Sequence, residues 1–157
     1  MIILSDFAFY VGLVEQALKD DETIARAVDN IFQAAPGEPV SNDMLEELQA
    51  CISIASQALT PLPLAGVASH GNSVLLQQIS FMVTVANIEG RDSNSYASWL
   101  AGLIFDKFKG DYVQKMNNKN YQIVFRPASW KIATLPESEF AGNRSSAKVT
   151  TELKYFG

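Results

Sequence analysis

Residues 147–156 alternate without a break. Ala147, Val149, Thr151, Leu153 and Tyr155 interleave with Lys148, Thr150, Glu152, Lys154 and Phe156. A period of two places the first set on one face of a strand and the second on the other. Leu153 and Tyr155 suit a core; Lys148, Glu152 and Lys154 suit water. Termini fray unless something ties them down, so this pattern predicts a closing strand built into a sheet. A second alternation, Ile79, Phe81, Val83 and Val85 against Ser80, Met82, Thr84 and Ala86, predicts a strand over residues 74–87 with one firmly buried face. Residues 64–68 fit its hairpin partner, residues 69–73 the turn, and residues 74–78 an overhang or bend beside that turn.

Helical periodicity appears elsewhere. Phe7, Tyr10, Val11, Val14 and Leu18 form an amphipathic stripe capped by Ser5 or Asp6 and ending near Lys19, since Asp20 and Asp21 sit badly at a helix C-terminus. Leu45, Leu48, Ile52, Ala55 and Leu59 form the best stripe of the chain, predicting a helix over residues 43–59 between Pro39 and Pro61. Tyr96, Trp99, Leu100, Leu103, Ile104 and Phe108 predict another, capped by Ser93 or Ser95 and ended by Gly110. Residues 23–32 fit a helix through Ile24, Val28 and Ile31, or a short strand over 23–28; the pattern leans to strand. Residues 117–120 are a polar loop, residues 121–125 and 129–135 are strand-like, and residues 136–145 are a mobile-looking loop. The fold class is α+β: a mixed or antiparallel sheet with a hairpin and a closing C-terminal strand, packed by about three helices on one face.

Composition narrows the class. At 157 residues the chain is a single domain, 1–157, and 48% hydrophobic with 18% charged residues is a globular balance. Cys51 is the only cysteine, so neither an internal disulfide nor a thiolate metal site is available. The first residues lack the basic stretch of a signal peptide, and no apolar run is long enough for a membrane span. Net charge is −5, from 12 basic and 17 acidic residues, which argues against a nucleic-acid-binding face.

Candidate chemistry is sparse. His70 is the only histidine and falls in a predicted turn, where an exposed side chain is the ordinary outcome. Cys51 falls between Leu48 and Ile52 and reads as a small buried hydrophobe. Gly66, Gly71 and Gly90 make no phosphate-binding loop. Glu46-Glu47 reads as the flank of a helix, and Asp106 and Asp111 around Lys107 and Lys109 as an ordinary charged face. Tyr96, Trp99 and Phe108 are spaced as core residues, whereas Trp130 suits core or subunit interface equally. The residues point to a protein that is not an enzyme and needs no cofactor or metal.

The stretch PLPLAGVASHGNSVLLQQISFMVTVANIEGRD, followed by SYASWLAGLIFDKFKG and closed by SSAKVTTELKYFG, resembles the tail terminator (tail completion) proteins of tailed phages, in particular the Mu-like contractile-tail type. The resemblance covers most of the chain as a layout of elements. It implies a virion structural protein, assembled in the host cytoplasm, that forms a homo-hexameric ring on the last ring of the tail tube. Such a ring stops tube polymerisation and offers a surface to neck or head-completion proteins and to the sheath end, with DNA passing through the lumen without specific binding. It also implies that contacts are made by loops the core does not need. The candidate interface residues are His70, Gly71, Asn72 and Ser73 in the hairpin turn, Arg91, Asp92 and Asn94 in the next loop, Glu137, Glu139, Phe140 and Arg144, and Phe156 on the polar side of the closing strand. Another head–tail connector or tail subunit, or an unrelated cytosolic ligand- or protein-binding domain, is the alternative.

Overall fold

The computed structural model describes residues 4–35, 50–62, 74–87, 92–110, 112–126, 129–135 and 144–156. Helix α1 (Leu4–Asp20) buries Val11, Leu13, Val14, Ala17 and Leu18. Helix α2 (Glu22–Ala27) follows at once, because Asp21 turns the chain and accepts a hydrogen bond from the Ile24 N–H at 3.1 Å. The chain then extends into β1 (Asn30–Gln33). The strand expected over residues 23–28 is thus a helix as far as Ala27, and the strand begins only at Asn30. The acidic pair that looked misplaced ends one helix and caps the next.

The largest correction concerns residues 50–59. They lie in β2 (Ala50–Leu62), a strand and not a helix. Ala50, Ile52 and Ile54 are buried on one side, and Cys51, Ser53 and Ala55 are buried on the other. A strand buried on both faces loses its alternation, and its apolar run then satisfies a helical template equally well. β3 (Val74–Ala86) is confirmed, but it pairs antiparallel with β2 from Ala50↔Val85 to Leu62↔Val74. Residues 74–78 are therefore held in the sheet and do not overhang. The irregularity lies instead in β2, between Ser56 and Ala58. The expected strand at 64–68 and turn at 69–73 fall outside the described residues.

Helix α3 (Ser93–Phe108) is followed by β4 (Tyr112–Met116), a strand with no counterpart in the sequence reading, and β5 (Lys119–Phe125). Only Asn117 and Asn118 form the turn between them, with φ of 53° and 63°. Two successive left-handed residues make a type I′ turn, whose twist matches a two-residue hairpin, and asparagine tolerates that region better than other non-glycine residues. The remainder of the expected polar loop, Lys119 and Asn120, pairs with Met116 and Lys115. Asn118→Val should lower stability by about 1–2 kcal/mol, while Asn118→Gly should leave it unchanged or raised. Urea midpoints at constant slope would measure both.

The last strands are β6 (Lys131–Leu135) and β7 (Arg144–Phe156). Among the described residues seven strands form one curled, mixed sheet in the order β1-β2-β3-β7-β5-β4, with β6 also on β7. β7 is interior. It pairs with β3 along its full length, from Ala86↔Arg144 to Val74↔Phe156. Its other edge is shared: β6 takes Ser146–Thr150 and β5 takes Leu153–Lys154. Between β5 and β6 the chain is pinned to β7, for the Arg126 N–H donates to the Glu152 carbonyl and the Glu152 N–H donates to the Ser129 hydroxyl at 2.9 Å. β5 and β6 are thus two halves of one line antiparallel to β7, and β4 flanks only the first half.

The α+β class stands, with α1, α2 and α3 gathered on one face. That face carries Ile52, Ile54, Phe81, Val83, Ala147, Val149 and Leu153, all buried in one core. The alternation of β7 is observed as expected on its described side chains. α3 lies over β3 and β7, where Phe108 stacks on Phe81 with ring centres 6.1 Å apart. α1 lies against β1 and β2 and is overlain by the β4–β5 hairpin, with Phe9 edge-on to Tyr121 at 4.9 Å. Trp130 packs against Phe105 and Phe125, which resolves it as a half-buried neighbour of the core.

Candidate functional site

The densest polar constellation forms where α1, α2, α3 and β4 meet. Asp20 and Asp21 arrive from the α1–α2 corner, Lys107 from the last turn of α3, and Tyr112 and Gln114 from β4, where a period of two turns both inward. The Lys107 ammonium donates to Asp21 at 3.2 Å and to the Tyr112 hydroxyl at 3.0 Å, and lies 4.3 Å from the centre of the Tyr112 ring. Tyr112 donates onward to the Gln114 carbonyl oxygen at 3.3 Å, and the Gln114 amide donates to Asp20 at 2.7 Å. Gln16 donates to the other Asp20 oxygen at 2.8 Å.

The Lys107 side chain keeps only 9% of its surface exposed. A buried ammonium is costly unless paired and hydrogen-bonded, and here it is both. Burial pushes the Asp21 carboxyl upward. The Ile24 N–H, the hydrogen bond and charge of Lys107 and the Thr23 N–H outweigh it, and the carboxyl ends below its ordinary range. Each donor is already engaged within the fold. The constellation can therefore clamp three helices to the hairpin, but it presents no nucleophile to a substrate. The sequence reading of Lys107 as part of a solvated charged face is corrected on this point. Lys109 does sit on that face, paired with Asp106 at 3.2 Å with both side chains exposed.

Few of the candidate interface residues come together. Asp92 is the N-cap of α3, a role expected for Ser93 or Ser95. Its carboxylate accepts from the Ser95 N–H at 3.1 Å and the Ser95 hydroxyl at 2.7 Å, and these bonds hold its pKa below the ordinary range. The Ser93 hydroxyl instead donates to the Ala86 carbonyl at 3.2 Å. Asn94 is exposed in the first turn. Arg144, expected in a loop, opens β7 opposite Ala86, so Asp92, Asn94 and Arg144 belong to one end of the sheet. Phe156 stands opposite Val74 at the other end, about 40 Å away along the strand at ~3.3 Å per residue. His70, Gly71, Asn72, Ser73, Arg91, Glu137, Glu139 and Phe140 lie outside the described residues.

Cys51 is buried on β2 against Phe32 and Ala86. Among the described residues no group of acidic, histidine and cysteine side chains has the spacing of a metal site, and no helix is long and apolar enough to cross a membrane. A small depression of about 160 Å³ lies between the end of α1 and β1, lined by Lys19, Ala25, Val28, Asp29, Asn30 and Ile31. Among the described residues three large apolar side chains missed as surface features are Trp99 on α3, 48% exposed although its spacing suggested core, Val113 on β4, 57% exposed, and Ile132 on β6, 49% exposed. No family model and no curated protein matches the chain.

Proposed function

We propose that the chain is a virion structural protein of the tail-terminator type, a ring-forming cap on the tail tube. The observation that carries this reading is the placement of β7. The strand runs through the middle of the sheet and ends at Arg144 on one side of the domain and Phe156 on the other. A cap needs two such ends, one matched to the tube subunit and one that offers the tube no match and receives neck or head-completion proteins. The α+β layout, with a long β2–β3 hairpin, a helix laid across it and a closing strand, is the layout on which the sequence resemblance to terminator proteins rests.

In this mechanism no bond is made or broken. The ring adds to the last layer of the tube and withholds the surface that a further layer would use; the sheath end docks beside it, and DNA passes through the lumen. Heterologous contacts between copies close into a ring when the rotation between neighbours closes. Adding the purified chain to polymerising tail-tube protein should shorten the tubes and leave a ring-shaped density at one tip by electron microscopy. Tubes of unchanged length with bare ends would refute the reading.

A further inference from the structure

The strand β6 is unusual in what it buries. Lys131, Ile132, Ala133 and Thr134 are all exposed, so this strand presents both its faces to water. Edge strands are ordinarily blunted by short length, charged side chains (lysine above all), proline or a bulge, because open backbone groups recruit other strands. β6 is short and carries one such charge, Lys131 at its first position, but it has no proline and no bulge, and Ile132 and Thr134 are β-branched residues suited to pairing. Among the described residues β6 pairs only with β7, because β4 stops beside β5 and leaves this half of the line without a neighbour.

The opposite edge of the same half is β1, which pairs only with β2 among the described residues. The registers put the two edges level. Gln33 aligns with Ile54, Phe81, Val149 and Ile132 in one row, and the rows of Asn30, Ile31 and Phe32 end at Leu135, Thr134 and Ala133. β1 is parallel to β2, and three antiparallel pairings then separate β2 from β6, so β6 runs opposite to β1. A second copy could therefore continue the sheet row on row in the more stable antiparallel sense. Charge complements this geometry. Residues 112–135 contain Lys115, Lys119, Arg126 and Lys131 and no acidic residue, with Arg126 paired to Glu152; on the β1 side residues 15–35 carry five acidic residues against Lys19 and Arg26, the latter paired with Glu22.

We propose that β6 of one copy pairs with β1 of the next, so that subunits join head to tail through a continuous sheet. The occupant of the β6 edge is a second copy of this chain. The contact is heterologous, and it rests on the ring reading above only for its closure into a ring.

Cysteine pairs test it directly. Gln33 and Ile132 are both exposed and end the same row. Gln33→Cys and Ile132→Cys proteins, mixed under mild oxidation with and without tail tubes, should form a crosslinked dimer. Neither variant should crosslink alone, and a chain carrying both should give a ladder of multimers. Ile132→Glu/Thr134→Glu, which sets carboxylates against the acidic β1 side, should shift the mass from assembly to single subunit while circular dichroism and the melting temperature stay as in the unmodified protein. Absence of the 33–132 crosslink in both conditions, or assembly unchanged in the glutamate variant, overturns the pairing. Capping without the crosslink leaves the cap reading intact and removes this joint; the crosslink without capping does the reverse.

Discussion

Deletion of residues 151–157 should abolish the folded state. These residues supply the partners of the first half of β3, from Val74↔Phe156 to Ile79↔Thr151, and both rows that anchor β5, Val124↔Lys154 and Phe125↔Leu153. The link between β5 and β6 is lost with them, since Ser129 is held by Thr151 and Glu152. Leu153 is fully buried, and Leu→Ala at such a site alone costs about 2–5 kcal/mol. Total stability of a domain is about 5–15 kcal/mol, so removal of the whole segment exceeds what the remaining core can offset. The truncated chain should show collapsed near-ultraviolet circular dichroism and no cooperative melt. Leu153→Ala in the full chain should remain folded with a lowered urea midpoint. Thr134→Ser, on exposed β6, should change stability by less than about 0.5 kcal/mol. A cooperative melt in the truncated chain would show β7 to be dispensable.

The difference between β7 and β2 explains how much of this fold could be read from residues alone. β7 alternates because its helix-side positions are Ala147, Val149 and Leu153, while Lys148 and Glu152 on the other side retain partial exposure. One wet face preserves the period of two. β2 lies deeper, between β1 and β3, and Cys51, Ser53 and Ala55 are buried along with Ile52 and Ile54. Over residues 50–55 neither face is wet, the hydrophobic pattern there carries no period, and Leu48, Ile52, Ala55 and Leu59 match a helix by spacing alone. β4 was missed for another reason. Tyr112, Gln114 and Met116 face α1 and the core, but Val113 and Lys115 face water, and so short an alternation with a glutamine in the buried set gives little signal.

The clamp was invisible for a topological reason. Lys107 and Asp21 are 86 positions apart, and Gln114 and Asp20 are 94 apart. Local spacing assigns Lys107 to the exposed face it nearly shares with Lys109. The curl of the sheet decides otherwise, because it lays the β4–β5 hairpin over the α1–α2 corner and buries the amine. A signal was nevertheless present in the doubled Asp20-Asp21: two acids at the end of a helix make sense when the second caps another helix and meets a cation.

Asp21→Asn isolates that cation, because asparagine preserves the N-cap through its carbonyl oxygen while the charged acceptor facing Lys107 is replaced by an amide NH2. Lys107 then remains at 9% exposure with the Tyr112 hydroxyl as its partner, and breaking a buried pair from one side costs about 3–5 kcal/mol. Asp21 is 26% exposed, so water shares in its solvation and the loss should be smaller, about 2 kcal/mol. Lys107→Met removes the cation with its stem volume retained and should cost about the same. The double variant should be less destabilised than the sum of the two, with a coupling of about 1–2 kcal/mol in a thermodynamic cycle. The pH dependence carries a definite sign. The native Asp21 carboxyl lies below its unfolded value, so its contribution is present above the ordinary carboxylate pKa of about 4 and is lost as pH falls through the lower native value. The stability gap between the unmodified protein and Asp21→Asn should therefore be constant from pH 7 to about 5 and close below about 4. Lys107→Met should narrow the gap at neutral pH as well, because Asp21 would then be held down only by the Ile24 and Thr23 amides. A gap that persists unchanged into strong acid would mean that the carboxylate charge, and with it the ion pair, does not hold the α1–α2 corner to α3.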